Sequence, residues 1–105
     1  MRIHIGPETF NSQKDARSRA SQVLHAHRLW QPITGDDGAF VSGLFALHPD
    51  TVEKSGPGVR CFVVGQSFHG PQLNLFVIRT DGTVDDFSIR RAVAAAATTR
   101  EDTPS

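Results

Sequence analysis

The stretch Arg79-Thr80-Asp81-Gly82-Thr83-Val84-Asp85-Asp86-Phe87-Ser88-Ile89-Arg90-Arg91 predicts a turn, a strand and the start of a helix. Asp81-Gly82 is a strong hairpin signal, because glycine adopts positive φ at little cost. Residues 84–87 are therefore expected to return antiparallel to the apolar segment 73–78, which lies just before the turn. Ser88 is a preferred N-cap, and the alanine run behind it predicts a helix over residues 89–97.

Two more helices are predicted upstream of this stretch. Apolar residues at helical spacing predict a first helix over residues 13–29, capped by Asn11 or Ser12. A second helix is expected to begin at Asp36 or Asp37 and to stop before Pro49, because proline disfavours helical geometry at the preceding residue.

The remaining segments predict strands and loops. Residues 1–5 alternate in polarity and predict a short edge strand, residues 50–58 a loop, and residues 59–64 a β-branched and aromatic strand. Segment 73–78 is apolar on both faces and is expected to be central in its sheet. The order predicts an α+β fold, with two N-terminal helices packed on a small antiparallel β-meander and a C-terminal helix. We expect one domain over residues 1–97, and a disordered tail over residues 98–105.

Composition bounds the class of protein. The 105 residues carry eleven acidic and eleven basic side chains, a net charge of zero and a pI of about 7.0, which argues against coating nucleic acid by bulk positive potential. Among the basic residues only Lys14 and Lys54 are lysine, and arginine suits carboxylate and phosphate geometry. The lone Cys61 fits a reducing compartment. With no long apolar run or secretory signal, we expect a cytoplasmic, monomeric protein that does not contact membranes.

Candidate catalytic and metal-binding groups do not form a recognisable motif. His25 and His27 are two residues apart on a predicted helix and therefore point in different directions. Cys61 lies on an apolar strand, where a cysteine behaves as a small buried hydrophobe. Adjacent Asp85 and Asp86 would face opposite sides of a strand. We therefore expect no enzyme activity, no metal and no cofactor.

Arg90 and Arg91 stand in the first turn of the predicted last helix, where the helix dipole disfavours positive charge by about 0.3–1 kcal/mol each. One interpretation is that they pair with Asp85 or Asp86 just upstream. The other is that they and the helix N-terminus present donors to an anion such as phosphate, joined by Arg79 across the hairpin.

The order and spacing of several motifs are similar to those of the DCL (defective chloroplasts and leaves) family. The matching motifs are Val23-Leu24-His25, Leu44-Phe45-Ala46-Leu47-His48-Pro49, Lys54-Ser55-Gly56-Pro57-Gly58, Leu75-Phe76-Val77-Ile78-Arg79-Thr80-Asp81-Gly82 and Asp86-Phe87-Ser88. The residues that the resemblance singles out are His48, Pro49, Gly56, Gly58, Asp81, Gly82, Asp86, Phe87 and Ser88. The chain departs from the family at Asn74-Leu75 and Arg91-Ala92, where the family usually carries cysteine.

The resemblance implies a small non-enzymatic domain of unknown function linked to chloroplast ribosomal RNA maturation and appended to a plant RNA polymerase large subunit. Our first hypothesis is a binding module for structured RNA or a ribonucleoprotein, in which phosphates contact Arg79, Arg90, Arg91 and Lys54. The alternative is an adaptor for a protein partner that uses an exposed apolar patch. That patch would contain Trp30, Phe62, Phe68 and Leu73.

Overall fold

The computed structural model describes residues 2–101, which form an α+β fold of four helices and two antiparallel sheets. The elements in chain order are β1 (Ile3–Ile5), β2 (Glu8–Phe10), α1 (Gln13–Ala26), α2 (Gly35–Leu47), α3 (Thr51–Ser55), β3 (Val59–Gln66), β4 (Leu73–Arg79), β5 (Val84–Phe87) and α4 (Ile89–Glu101). Within this part of the chain, no helix is long and apolar enough to cross a membrane.

The strands form a two-stranded sheet, β1-β2, and a three-stranded meander in the order β3-β4-β5. Strand β4 is central, as its apolar faces predict, and Val77 lies opposite both Phe62 and Asp85. The hairpin between β4 and β5 also follows the prediction, with Ile78 opposite Val84.

One hydrophobic core lies between the helices and one face of the meander, which we call the inner face. Strand residues Phe62, Val64, Leu75, Val77 and Phe87 supply that face. The buried side chains of α1, α2 and α4 all belong to the same core: Ala16, Ala20, Val23, Phe40, Val41, Leu44, Phe45, Ala92, Val93, Ala96 and Ala97. The helical layer therefore packs against a single face of the three-stranded sheet.

A charge network ties the first hairpin to α1 and α2. Arg19 donates to both carboxylate oxygens of Glu8, at 2.9 and 3.0 Å, and pairs with Asp37 at 2.7 Å. Its guanidinium carbon lies 5.1 Å from the centre of the Phe40 ring. Hydrogen bonds from His27 and Arg19 lower the pKa of Asp37 below its usual range. These side chains fix the packing of β2 on the helices.

Several features differ from the sequence predictions. Strand β2 was not predicted, and α2 begins at Gly35 after Thr34, so that Asp36 and Asp37 lie in its first turn and do not cap it. Helix α1 ends at Ala26, because the chain then leaves the helix and aligns with β3: Leu29 bridges Val64, whose carbonyl accepts the Trp30 N–H at 2.8 Å. The expected loop over residues 50–58 contains the short helix α3. Helix α4 continues to Glu101 rather than ending at residue 97, so the tail expected from residue 98 is helical as far as residue 101. Residues 102–105 of that tail, and Met1 of the predicted first strand, lie outside the described residues.

Candidate functional site

The Asp81-Gly82 turn is built by local bonds. Gly82 has a φ of +87°, which glycine adopts freely. The Asp81 carboxylate accepts from the Thr83 N–H at 3.0 Å and from the Thr83 hydroxyl at 2.6 Å, which lowers the pKa of Asp81. Both residues are therefore accounted for by the geometry of the turn.

Two of the predicted phosphate contacts, Lys54 and Arg79, converge on one carboxylate. Lys54 Nζ and Arg79 Nη2 each lie 3.2 Å from Asp85 Oδ2. Burial alone would raise the pKa of Asp85, but the hydrogen bond and charge of Lys54, with the charge of Arg79, hold it below its usual value. Both cations are thus engaged inside the protein.

The glycines of the Lys54–Gly58 segment make room for Arg79. Arg79 Nε donates to the Lys54 carbonyl at 2.7 Å, and a Cβ on Gly56 would lie 3.0 Å from Arg79 Cδ. Gly56 and Gly58 have φ values of +53° and +142°, which favour glycine. The Gly58 carbonyl accepts the Thr80 N–H at 2.9 Å. This segment therefore closes over the end of β4.

His48 is a buried side chain at the end of α2, with 2 % of its surface exposed. Pro49 follows it, and the extended ψ of 137° at His48 is the expected effect of that proline. The Asp50 N–H donates to His48 Nδ1 at 3.0 Å, so the neutral ring carries its proton on Nε2. Nε2 has no hydrogen-bond partner among the described residues. Burial, followed by the charge of Arg91, lowers the pKa of His48.

Acid is expected to destabilise the protein through His48. Because its folded pKa lies below the usual 6.5, the unfolded chain binds a proton that the folded chain lacks in the interval between the two values. The stabilisation is complete above about pH 6.5 and is lost as pH falls through that interval towards the folded pKa. Denaturant unfolding measured from pH 7.5 to 5 checks this slope.

Two variants isolate the contribution of His48. His48→Asn keeps a neutral acceptor near the Asp50 N–H and should flatten the slope between pH 6.5 and 5. His25→Asn, at an exposed position, should keep the slope of the parent protein. Identical slopes for His48→Asn and the parent would contradict the assignment.

Phe87 and Ser88 join the meander to the last helix. Phe87 is buried against Phe45, with ring centroids 5.0 Å apart, and lies edge-on to the His48 ring at 6.1 Å. Ser88 Oγ accepts the Arg91 N–H at 3.1 Å and caps α4 as predicted. Their roles are packing and capping.

The backbone N–H and carbonyl groups of Asp86 both form hydrogen bonds with side chains. Its N–H donates to Asp85 Oδ1 at 2.9 Å, and its carbonyl accepts from Lys54 Nζ at 2.8 Å. Strand β5 is the edge of the meander, so these bonds fill the positions where an added strand would pair. At the opposite edge, the Trp30 and Ile33 N–H groups donate to carbonyls of β3. Both edges are covered at these positions.

Arg90 and Arg91 begin α4 as predicted, but their pairing differs from the interpretation through Asp85 or Asp86. Arg91 Nη1 lies 3.2 Å from Asp50 Oδ2, a residue 41 positions away. Arg90 is exposed and forms no ion pair within the described residues. The four predicted cations therefore do not form one unneutralised group: Lys54 and Arg79 share Asp85, Arg91 contacts Asp50, and Arg90 is exposed.

The meander has a second face, which we call the outer face. By strand register it carries Cys61, Val63, Gly65, Asn74, Phe76, Ile78, Val84 and Asp86. Val63 and Phe76 are fully buried, yet they lie outside the helix-lined core. Trp30 and Phe68 cover Phe76, with ring centroids at 5.1 and 5.3 Å, and remain 46 % and 65 % exposed. Asp86 is the charged residue of this set, and the exposed Arg60 lies at the β3 bulge, where the register gives it no partner.

The backbone conformation of Trp30 is unusual for a residue other than glycine. Its φ of +65° is the only positive value recorded for a non-glycine residue in the described part of the chain. Such a conformation costs on the order of 1–3 kcal/mol and persists only where surrounding contacts hold it. Gly65 supplies the space, because a Cβ there would lie 2.7 Å from the Phe76 ring and 2.9 Å from Trp30. The chain thus holds an exposed indole over the sheet.

Of the residues expected in the exposed apolar patch, Trp30 and Phe68 are exposed, whereas the expectation is wrong for Phe62. Phe62 is 8 % exposed, because alternation along β3 turns it to the inner face, and Leu73 is half-buried against the core. Phe76, which the sequence did not single out, is the residue on which both exposed rings pack. The strand register places Phe76 on the outer face, which the local sequence pattern does not reveal.

Comparison with known proteins places this geometry in a family. Over 75 residues, which are 71 % of this chain, the sequence is 37 % identical to DNA-directed RNA polymerase IV subunit 1 of Arabidopsis thaliana; the match spans 5 % of that subunit. The expected occurrence of a similar domain in a plant RNA polymerase subunit is therefore confirmed. The solution NMR structure of an uncharacterized protein from Rhodospirillum rubrum matches with a TM-score of 0.76 and 32 % identity over 86 % of each chain.

The fold comparison agrees with the α+β architecture, while the name DCL stays an expectation from the motifs. Residues 21–93 match the model of a family described as "Protein of unknown function (DUF3223)". That range contains α2, α3, the three-stranded meander, and both Trp30 and Phe68. The chain belongs to the DUF3223 family of proteins of unknown function.

Proposed function

We propose that this domain is a non-catalytic binding module that docks onto a protein partner through the outer face of its meander. The observation that carries the proposal is the aromatic pair Trp30 and Phe68, which stays exposed on Phe76. Exposed aromatic residues on an apolar surface are typical of protein interfaces, and tryptophan is enriched among the residues that dominate binding energy.

The backbone of Trp30 supports the same proposal. A left-handed backbone at φ +65° costs free energy, and core packing does not explain that cost because the Trp30 side chain is half-exposed. This conformation therefore supports a role for Trp30 outside the core. The bond from the Trp30 N–H to the Val64 carbonyl and the packing on Phe76 hold the indole in place before any partner binds. A pre-positioned ring loses less conformational freedom on binding.

The context of the relatives also supports a binding role. A similar segment makes up 5 % of a subunit named for an RNA polymerase, as expected of a domain that serves a larger assembly. Asp86 on the outer face favours protein over nucleic acid, because its carboxylate would repel phosphate.

Photo-crosslinking tests the proposal. A photoreactive phenylalanine analogue at position 68 should form discrete protein adducts in cells of the source organism, and nuclease treatment should leave them intact. The matched control is the same analogue at position 52, where Val52 on α3 is 83 % exposed. Equal adducts from both positions, or adducts removed by nuclease, would contradict a protein-docking face.

A second candidate is RNA binding at the start of α4, for which the family resemblance supplies the link to RNA and the arginines supply the location. Exposed Arg90 favours it, and the Arg91–Asp50 pair is a surface pair of the kind worth about 0–1 kcal/mol, which a phosphate could replace. Lys54 and Arg79 would contribute only if they left Asp85.

Salt-dependent RNA binding tests this second candidate. Affinity for a labelled structured RNA should fall steeply between about 50 and 200 mM salt, because phosphate contacts release counterions. The double variant Arg90→Ala/Arg91→Ala should lose binding, whereas Lys14→Ala/Arg28→Ala, with the same change in net charge at exposed positions, should retain it. Absence of binding at about 50 mM salt removes the candidate.

A further inference from the structure

The way a partner can approach the meander is limited by its edges. On β5, the side chains of Lys54 and Asp85 hydrogen-bond to the backbone of Asp86. On β3, backbone carbonyls accept hydrogen bonds from the N–H groups of Trp30 and Ile33. At these positions a partner cannot extend the sheet by adding a strand, which would require free N–H and C=O groups along an edge. Binding must use the outer face.

The chemistry of that face selects the conformation of the partner. An extended segment lying across Trp30, Phe68 and Val84 would bury its own N–H and C=O groups against apolar side chains. Each unpaired buried group costs free energy comparable to a lost hydrogen bond. An α-helix satisfies its backbone internally and offers only side chains to the surface. A helix is therefore the segment that this face accommodates without unpaired backbone.

The dimensions agree with one helix. Three strands spaced about 4.8 Å apart make a surface about 10 Å across, which matches a helix about 10 Å in diameter. Trp30 and Phe68 stand over Phe76, and Ile78, Val84 and Cys61 continue the surface towards the Asp81 turn. The inner face of the same sheet already packs against helices.

The charge of the face selects a side chain of the partner. Asp86, opposite Phe76, carries a carboxylate whose recorded side-chain contact is a long one, 3.5 Å from Asn74 Nδ2. A partner helix that covers this position buries the carboxylate beside apolar groups and therefore requires an opposite charge near it. Lysine or arginine at the border of the apolar stripe meets that requirement.

We propose that the outer face binds an amphipathic α-helix of a protein partner, with an apolar stripe against the exposed rings of Trp30 and Phe68 and a basic residue facing Asp86. This inference rests on the proposed docking function and names the chemistry of its partner. Binding would complete a three-layer arrangement, with helices on both faces of the meander.

Selection from a display library of random 16-residue peptides tests the proposal. The bait is the full chain, and the counter-selection uses Trp30→Ala/Phe68→Ala. Enriched peptides are expected to carry apolar residues at the i, i+3, i+4, i+7 spacing and one lysine or arginine beside that stripe. Synthesised alone, they should bind wild-type protein and perturb amide resonances of β4 and β5.

Single variants then test separately the docking on the outer face and the recognition of a basic residue by Asp86. Trp30→Ala or Phe68→Ala should weaken an enriched peptide about tenfold or more, as for a dominant interface residue, and Asp86→Asn should weaken it several-fold with less dependence on salt. Val52→Ala, exposed on α3, is the matched control and should leave affinity unchanged. Phe68 lies in an exposed loop, so its variant keeps the test decisive if Trp30→Ala fails to fold.

The outcomes that overturn the two claims differ. Enriched peptides that need Trp30 and Phe68 but show strict alternation or no periodicity overturn the helix and leave the docking face intact. Peptides that bind the double variant as well as the parent, or no enrichment over that variant, overturn the docking face itself. Binding of a labelled single-stranded RNA in competition with the enriched peptides overturns the choice of a protein helix.

Discussion

Phe87→Ala is expected to lower the free energy of unfolding by about 3–5 kcal/mol, the range for removing a buried phenylalanine. The Phe87 ring is 2 % exposed and packs on Phe45 at 5.0 Å, Phe62 at 6.1 Å and His48 at 6.1 Å. Its removal leaves a cavity where α2, β3 and β5 meet. A single domain has about 5–15 kcal/mol in total, so the variant should be barely folded.

Urea unfolding measured by far-UV circular dichroism checks this loss. The matched control is Phe68→Ala, which removes the same ring from an exposed position and should cost only about 0.5–1.5 kcal/mol, the worth of its edge-on contact with Phe76. A Phe87→Ala variant as stable as Phe68→Ala would show that the motif residue Phe87 is retained for something other than packing.

Gly43→Ala is expected to destabilise the protein by about 1–3 kcal/mol or more, although the same change in an ordinary helix interior stabilises by roughly 1 kcal/mol. Gly43 lies in α2 against the turn between β1 and β2, where a Cβ would come within 2.5 Å of Gly6 Cα and closer still to Gly6 N. The obstacle is backbone, and Gly6 cannot readily move away, because it has a φ of +57° and a Cβ on it would lie 2.8 Å from the Ala39 carbonyl oxygen. The helix and the turn would have to separate.

The neighbouring substitution Ser42→Ala provides the control. Ser42 is exposed on the same helix, so its change should leave stability within about 0.5 kcal/mol. Thermal and urea unfolding of both variants checks the sign. A Gly43→Ala protein as stable as the parent would mean that α2 and the first hairpin do not approach as closely as described.

The sequence was most informative where structure depends on neighbouring residues. The Asp81-Gly82 turn, the Ser88 cap, the Ser12 cap and the end of α2 before Pro49 all appear as predicted. Each depends on the conformational preference of one or two residues, and such preferences act within a few positions along the chain.

The sequence was least informative where partners are distant. Arg91 contacts Asp50, and Lys54 contacts Asp85, across 41 and 31 positions. No local pattern could indicate these pairs or the packing of Trp30 on Phe76, which follows from the course of residues 29–33 along β3. The cytoplasmic location, the monomeric state and the absence of catalysis stay predictions.

The residues that the family resemblance singled out have mostly structural roles. Of the nine positions that the resemblance singled out, Asp86 has its carboxylate on the outer face. The other eight terminate α2, shape the loop beside Arg79, form the hairpin turn, fill the core or cap α4. Those contacts account for the residues as parts of the fold. The exposed rings on the outer face are the surface that we propose for docking.

Fluorescence of Trp30 tests the docking face most directly, because it is the single tryptophan of the chain and stands half-exposed on that face. In a complex with the protein partner captured at position 68, or with a selected peptide, Trp30 emission should shift to shorter wavelength and acrylamide should quench it less. A saturated complex whose Trp30 emission and quenching equal those of the free domain would contradict docking on the outer face.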